Sequence, residues 1–324
     1  MTLKDTGTGT GISSVLGARA LQAVMVAIVV GIVSFAMMQA LPGDAAFRIA
    51  AGRYGYDMMN AASAEAVRAE LGLDQPLFVQ LGTWLWSLAQ FDMGSSLVTG
   101  APVAHEIAHQ LGASLLLAGA AVAISILIAL PVGVASGLNP GGLFDRTTLA
   151  ISVALRAVPA FALAVVLILV FAVQIRLLPV AGFDRMEHLV LPALTLGLSL
   201  AAVSNRVVRD AVAEAMTSDW YHFARTKGLS QRITLFRHVA RNAAVPVVAY
   251  IGVQLAFLIE GVVIVESVFS WPGIGHALVH AIFDRDVPMV QGTALTLGLL
   301  YVLLNLVIDL ACRGLDPRGA ESAS

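Results

Sequence analysis

The sequence predicts an all-α polytopic membrane protein with six transmembrane helices and both termini in the cytoplasm. Three observations predict it. Of 324 residues, 58% are hydrophobic and only 12% charged, whereas soluble domains are nearer a quarter charged. Apolar stretches of about 18 residues or more, enough to cross hydrocarbon as a helix, recur along the chain. Arginine and lysine gather between alternate stretches, on one side only. So few charges cannot cover a soluble enzyme of this length, which excludes most cytosolic classes. A net charge of −2 without a basic stripe gives no nucleic-acid signature. The single cysteine, Cys312, excludes an intrachain disulfide framework and a zinc ribbon.

The first span is Ala20 to Leu41, bounded by Arg19 and by Pro42-Gly43-Asp44. It is too long for a signal-peptide core, and no small-residue cleavage pattern follows it. The second lies within Gln110 to Phe144, as Leu111 to Ser136, because residues 137–142 (GLNPGG) are turn chemistry. The third runs between Arg156 and Arg176, beginning as early as Thr148, with Pro159 as a kink. The fourth runs from His188 to about Arg206, and the fifth from Ala243 to Val265 with Glu260 inside it. The sixth, Pro288 to Leu310, opens on a proline where a helix start tolerates one, and carries Asp309 at its end.

With residues 1–19 inside, the inner segments hold Lys4, Arg19, Arg146, Arg206, Arg209, Arg225, Lys227, Arg232, Arg237, Arg241, Arg313 and Arg318. The outer segments hold only Arg48, Arg53, Arg68, Arg176, Arg185 and Arg285. That asymmetry orients the chain. Residues 42–110 form an external, acid-rich segment in which Ala61 to Leu71 reads as a short amphipathic helix. Residues 111–318 hold the other five spans, and 319–324 are a cytoplasmic tail. The Gly-Thr run at residues 7–11 reads as a frayed terminus.

One short motif invites a different function. His105-Glu106-Ile107-Ala108-His109 fits H-E-x-x-H, which on a helix sets two imidazoles on one face and a glutamate as general base for zinc hydrolysis. An integral membrane zinc metalloprotease built on residues 105–109 is therefore the alternative. It needs a third ligand, and its candidate companions, Asn139-Pro140-Gly141 and Asp316-Pro317, fall across the membrane on the inner side. The bland reading is a polar juxtamembrane helix. His276 and His280 are also four apart, on an external helix, where surface chance explains them better than metal. Neither lysine, Lys4 or Lys227, stands in a P-loop, so any ATP is bound by another chain.

The internal loop, residues 206–245, is more specific. Its centre, Asp219-Trp220-Tyr221-His222-Phe223-Ala224-Arg225-Thr226-Lys227-Gly228, is a short aromatic and basic helix stopped by Gly228. A second helix follows and re-enters the membrane. A short helix carrying Trp220, Tyr221 and Phe223 clear of the inner surface is poorly buried alone and wants lipid headgroups or a partner groove.

Tyr221 to Pro246 resembles the loop called the EAA motif in permease subunits of ABC importers, in its dipeptide and oligopeptide form. Further stretches match that family in order: Leu41-Pro42-Gly43-Asp44, Leu71-Gly72-Leu73-Asp74-Gln75-Pro76-Leu77, Glu266-Ser267-Val268-Phe269-Ser270-Trp271-Pro272-Gly273, and Leu315-Asp316-Pro317-Arg318. The resemblance covers about residues 19–318.

It implies a type I ABC importer permease fold in the bacterial inner membrane. It implies a non-catalytic half-transporter, paired with a second homologous permease, with two ATPase subunits below and a periplasmic binding protein delivering a peptide or related small solute. ATP and magnesium would be used by the ATPases, with no cofactor, metal or nucleic acid on this chain. By carry-over, Tyr221, Phe223, Ala224, Arg225, Lys227 and Gly228 would form the coupling contact. His238, Arg241, Asn242 and Pro246 would anchor the returning helix. Arg156 and Glu260 depart from the family's usual uncharged or small residues. With Glu266 they are the candidate substrate-path residues, since ionisable groups in spans usually face a cavity or each other.

Overall fold

Long apolar helices and the polar joints between them set the architecture. The computed structural model describes residues 12–40, 43–55, 60–72, 74–90, 92–235 and 239–315, and among these the regular structure is helical apart from one bridge, Ser95 to Pro102. The helices are α1 (Ile12–Ala40), α2 (Ala45–Tyr54), α3 (Ala61–Leu71), α4 (Leu77–Ala89), α5 (Val103–Leu138), α6 (Leu143–Ala157) and α7 (Ala160–Leu167), the last continuing as a π-helical stretch, Ile168–Gln174. There follow α8 (Glu187–Thr217), α9 (Asp219–Thr226), the single turn α10 (Gln231–Thr234), α11 (Ala240–Val268), α12 (Ile274–Asp284) and α13 (Val287–Leu315).

Within α1, α5, α8 and α13, four stretches among the described residues are long and apolar enough to cross a membrane. The pair α6 and α7 is long and apolar enough only when taken together, and it is bent by 102° at its break, as a broken span or a re-entrant loop is. The break falls at Pro159, where the sequence predicts a kink, and it is far sharper than a kink. Pro159 has no N–H to continue a helix, and Val158 before it is held extended at φ −86°, ψ 123°. Helix α11 has 29 residues, and its Asn242–Leu255 portion is apolar. Helix α8 runs eleven residues past Arg206, so Arg206 and Arg209 stand on a helix and not in a loop.

The chain divides into two units, through both of which α5 and α13 pass. In the first (residues 1–17, 116–271 and 303–324), α6, α7 and α11 pack on α8. Small residues let backbones approach: a Cβ on Gly133 or Gly137 of α5 would stand 2.6 Å from the Asn205 carbonyl oxygen or 2.7 Å from that of Arg209. Polar side chains inside this packing pair with one another. The Ser152 hydroxyl donates to Asn205 Oδ1 at 3.2 Å, and Asn205 Nδ2 donates back at 2.9 Å. Gln254 Nε2 donates to the Leu200 carbonyl at 3.0 Å and to the Ser204 hydroxyl.

The second unit (residues 18–115 and 272–302) is tied by arginine–carboxylate pairs. Asp44 caps α2 by accepting from the Ala46 N–H, and also meets Arg68, which reaches Glu65 as well. Arg53 pairs with Glu70 at 2.9 Å and donates to the Leu97 carbonyl. Buried Asp286 accepts from the Ser96 hydroxyl, from Leu97 N–H at 3.1 Å and from Met289 N–H at 3.3 Å in the first turn of α13. Arg285, left-handed at φ 55°, donates to the Gly43 carbonyl at 2.9 Å. Val103, Ile107, Ile274, Ala281, Met289 and Val290 form one apolar cluster in it, and Ala46, Ile49, Ala50, Ala64 and Val67 another.

Candidate functional site

Helix α8 ends at Ser218, whose extended backbone (φ −74°, ψ 149°) is also the start of α9, so the two helices share one residue as a joint. The eight residues of α9 divide by helical spacing. Tyr221 and Ala224 face inward and are buried, with Tyr221 at 8% exposure packed among Val208, Ala211, Val212 and Ala215 of α8, together with Val239 and Ala243. Trp220 and Phe223 share the outward face with Lys227, the residue that caps the helix, and Phe223 is 60% exposed. The sequence expectation that Trp220, Tyr221 and Phe223 all stand clear is thus corrected for Tyr221. Its ring spends its apolar area on α8, because a helix this short holds its pose only by tertiary packing.

The end of α9 is closed by a Schellman arrangement: Gly228 N–H donates to the Arg225 carbonyl at 3.0 Å and Leu229 N–H to the Ala224 carbonyl at 3.3 Å. Gly228 takes φ +85°, a conformation that favours glycine. The Arg225 guanidinium folds over this cap, donating to the Leu229 carbonyl at 2.7 Å. The Lys227 ammonium sits 4.4 Å over the Phe223 ring centroid, which leaves an exposed aromatic covered by a cation. Asp219 in the first turn and Arg225 in the last both suit the helix dipole.

Behind this face lies a cluster that the sequence reading missed. Asp145, buried in the first turn of α6, accepts from Gly141 N–H at 2.8 Å, from Arg206 Nη1 at 2.9 Å, and from Arg209 through Nε at 3.2 Å and Nη2 at 2.8 Å. Asp210 takes a further Arg209 donor at 2.7 Å. Both arginines count toward topology in the sequence, but here they bind the start of α6 to α8 on the turn where the Tyr221 anchorage begins at Val208. The only local signal was an aspartate three residues after the Pro140-Gly141-Gly142 turn.

The remaining candidates do not converge with that face. Asn242 is exposed in the first turn of α11 and Pro246 is exposed inside the same helix. Arg241 lies on α11 too, and His238 falls outside the described residues. Arg156 is exposed in the last turn of α6. Glu260 belongs to α11, as does Glu266, whose side chain is fully buried. A cavity of about 350 Å³ between α5, α8 and α11 is lined by apolar side chains such as Ile126, Leu130 and Val247, with Ser204, and by neither Arg156 nor Glu266.

On α5, His105 and His109 are exposed, and Glu106 accepts from the Thr99 hydroxyl at 2.6 Å. Among the described residues no group of three His, Cys, Asp or Glu side chains is placed to hold a metal ion. The third donor that zinc hydrolysis needs is not supplied there. His276 and His280 of α12 pack edge to face with ring centroids 4.5 Å apart.

Residues 129–320 match the family described as binding-protein-dependent transport system inner membrane component, and residues 13–104 match its N-terminal region. A Brucella abortus protein described as a peptide transport system permease is 38% identical over 308 residues, 93% of this chain and 96% of its own length. The glutathione transport system permease protein GsiC of Escherichia coli K12 is 37% identical over 289 residues, 89% of this chain and 93% of its own. Among solved structures, the inward-facing methionine ABC transporter MetNI shares the fold, with TM-score 0.53 and 18% identity, covering 65% of this chain and 96% of that one.

Proposed function

Because the chain belongs to the inner membrane components of binding-protein-dependent transport systems, we propose that it forms half of the translocation path of an ATP-driven importer for peptides or a related small solute such as glutathione. The relatives named above carry those substrates in their names. The chain is a transport component and not an enzyme. In this reading α1, α5, the bent α6–α7 pair, α8, α11 and α13 make six spans, with both termini cytoplasmic. A second homologous permease completes the path, a periplasmic binding protein delivers the solute, and two ATPase subunits hold ATP and magnesium.

The observation that carries the coupling is the two-faced α9. Tyr221 locks it to α8 while Phe223 and Lys227 point away from the chain. An exposed aromatic on a rigidly seated helix is the geometry of a helix presented to a partner groove. Closing of an ATPase dimer would push on α9, and the shared Ser218 joint would pass the motion to α8. The clamp on Asp145 would then carry α6 with it, so two packings of the spans are biased by nucleotide below and loaded binding protein above.

The test is purification of the chain in mild detergent from its own membrane, with mass spectrometry of accompanying proteins. Recovery of a second permease and ATPases, with the ATPases reduced by Phe223→Ala and Arg225→Glu, is expected. Recovery of the chain alone, before and after mild cross-linking, would overturn the reading.

A further inference from the structure

We propose that α4 lies within the hydrocarbon of the leaflet into which the C-terminal end of α1 opens, its outward face covered by lipid acyl chains. The expected external segment, residues 42–110, is then not wholly in water. Depth is the first observation. Gly31 of α1 stands six residues before Met37, where the apolar stretch Val15–Met37 ends. At about 1.5 Å per residue, that is about 9 Å inside the stretch. The Trp84 ring of α4 fills the notch at Gly31: a Cβ there would lie 2.9 Å from Trp84 Cη2, closer still to Cζ3, and 3.5 Å from Leu85 Cδ2. Deeper still, Gly298 of α13, eleven residues into that helix, meets the adjoining turns of α1: a Cβ there would stand 2.7 Å from Val26 Cγ1 and 3.7 Å from Val30 Cγ2. Trp84 therefore meets α1 at Gly31, next to the Val30 that faces Gly298, well inside the apolar stretch of that helix.

Composition is the second. None of the thirteen residues of α4 is charged, and Leu77, Phe78 and Trp86 are exposed on it. An uncharged helix with three large bare side chains is poorly suited to water and well suited to a lipid boundary. Helix α1, against which it packs, is itself bare at Val24, Ile28 and Ile32.

Hydrogen bonding is the third. Two polar side chains of α4 are satisfied within the segment: the Thr83 hydroxyl donates to the Val79 carbonyl at 2.9 Å, and Gln80 Nε2 donates to the Gln75 carbonyl at 2.8 Å. Internal satisfaction is what a hydrocarbon environment demands. Thirteen residues make a helix about 20 Å long, too short to cross. With exposed Asp74 and Asp92 just beyond its two ends, α4 enters one leaflet without crossing.

The experiment uses the full chain with the proteins that copurify with it, Cys312 replaced by alanine, in vesicles of phosphatidylethanolamine and phosphatidylglycerol. A nitroxide is attached at Phe78→Cys, and separately at Leu77→Cys in case the first disturbs folding. Val24→Cys on α1 and Ala66→Cys on exposed α3 serve as lipid and water references. Collisions with oxygen are expected to exceed those with a water-soluble nickel chelate severalfold, as at Val24→Cys. Nickel collisions equal to those at Ala66→Cys would place α4 in water. An immobilised label shielded from both reagents would place it against protein. Either result overturns the proposal, and neither depends on whether the chain is a transporter.

Discussion

Arg209 grips both carboxylate oxygens of Asp145, through Nε at 3.2 Å and Nη2 at 2.8 Å, while Arg206 takes one of the same oxygens at 2.9 Å. Two cations held against one buried anion cannot lose that anion cheaply. Removing one partner of a fully buried pair costs about 3–5 kcal/mol, because the remaining charge is left uncompensated, and the partly exposed arginines bring the cost here below that range. Asp145→Asn is therefore expected to lower the thermal midpoint of the detergent-solubilised protein by several degrees. Asp210→Asn, at the exposed end of the cluster, should change it little. Differential scanning fluorimetry of the two variants checks this.

The two faces of α9 separate by mutation. Truncating a buried aromatic costs about 3–5 kcal/mol, more than a helix of eight residues can spare. Tyr221→Ala should free α9 from α8 and expose residues 219–226 to proteolysis in inverted vesicles. Tyr221→Phe keeps the ring and should not. Phe223→Ala leaves the anchorage alone, so its cleavage pattern should match the parent while ATP-dependent uptake falls.

Close approach of α5 to α8 gives a third expectation. Gly133→Val and Gly137→Val would drive side-chain atoms into the Asn205 and Arg209 backbone carbonyls, which cannot retreat without moving α8. Steady-state levels in the membrane should drop severalfold. Gly119→Ala on the same helix meets nothing within 4 Å and should accumulate normally. Immunoblotting of membrane fractions reads the difference.

Acid should act through α12, outside the spans. Burial, and then the neighbouring His280, hold the His276 imidazole below its ordinary value of 6.5. The folded chain therefore binds this proton less well than the unfolded chain. Stability on account of this group is full above about pH 6.5 and falls as the pH drops from there through the lower folded value. His276→Asn should flatten that part of the stability profile between pH 7 and pH 5, measured by the same fluorimetry.

What the sequence disclosed follows from how local each signal is. Helix α3 occupies Ala61–Leu71 because Asn60 and Ser63 form a capping box at one end and Gly72 turns left-handed at the other, all within the segment itself. Gly228 likewise announces the end of α9 by residue type alone. The clamp on Asp145 was not legible, since its partners lie 61 and 64 positions away and arginines near a membrane already have a topological explanation. Pro159 signalled a break but not a bend of 102°, since a missing N–H ends a helix without fixing the direction of the next one. Nor could composition tell Tyr221 from Phe223: both are aromatic, and their fates part only because α8 offers Val208 and Val212 to one side of α9.

The coupling claim is tested most directly by site-specific photocross-linking in native membranes, with a photoreactive residue in place of Phe223 and, separately, of Tyr221. The probe at 223 is expected to capture an ATPase subunit. The probe at 221 should stay within the chain, reacting with α8. Capture of the ATPase from 221 and not from 223, or from neither position, would contradict the account.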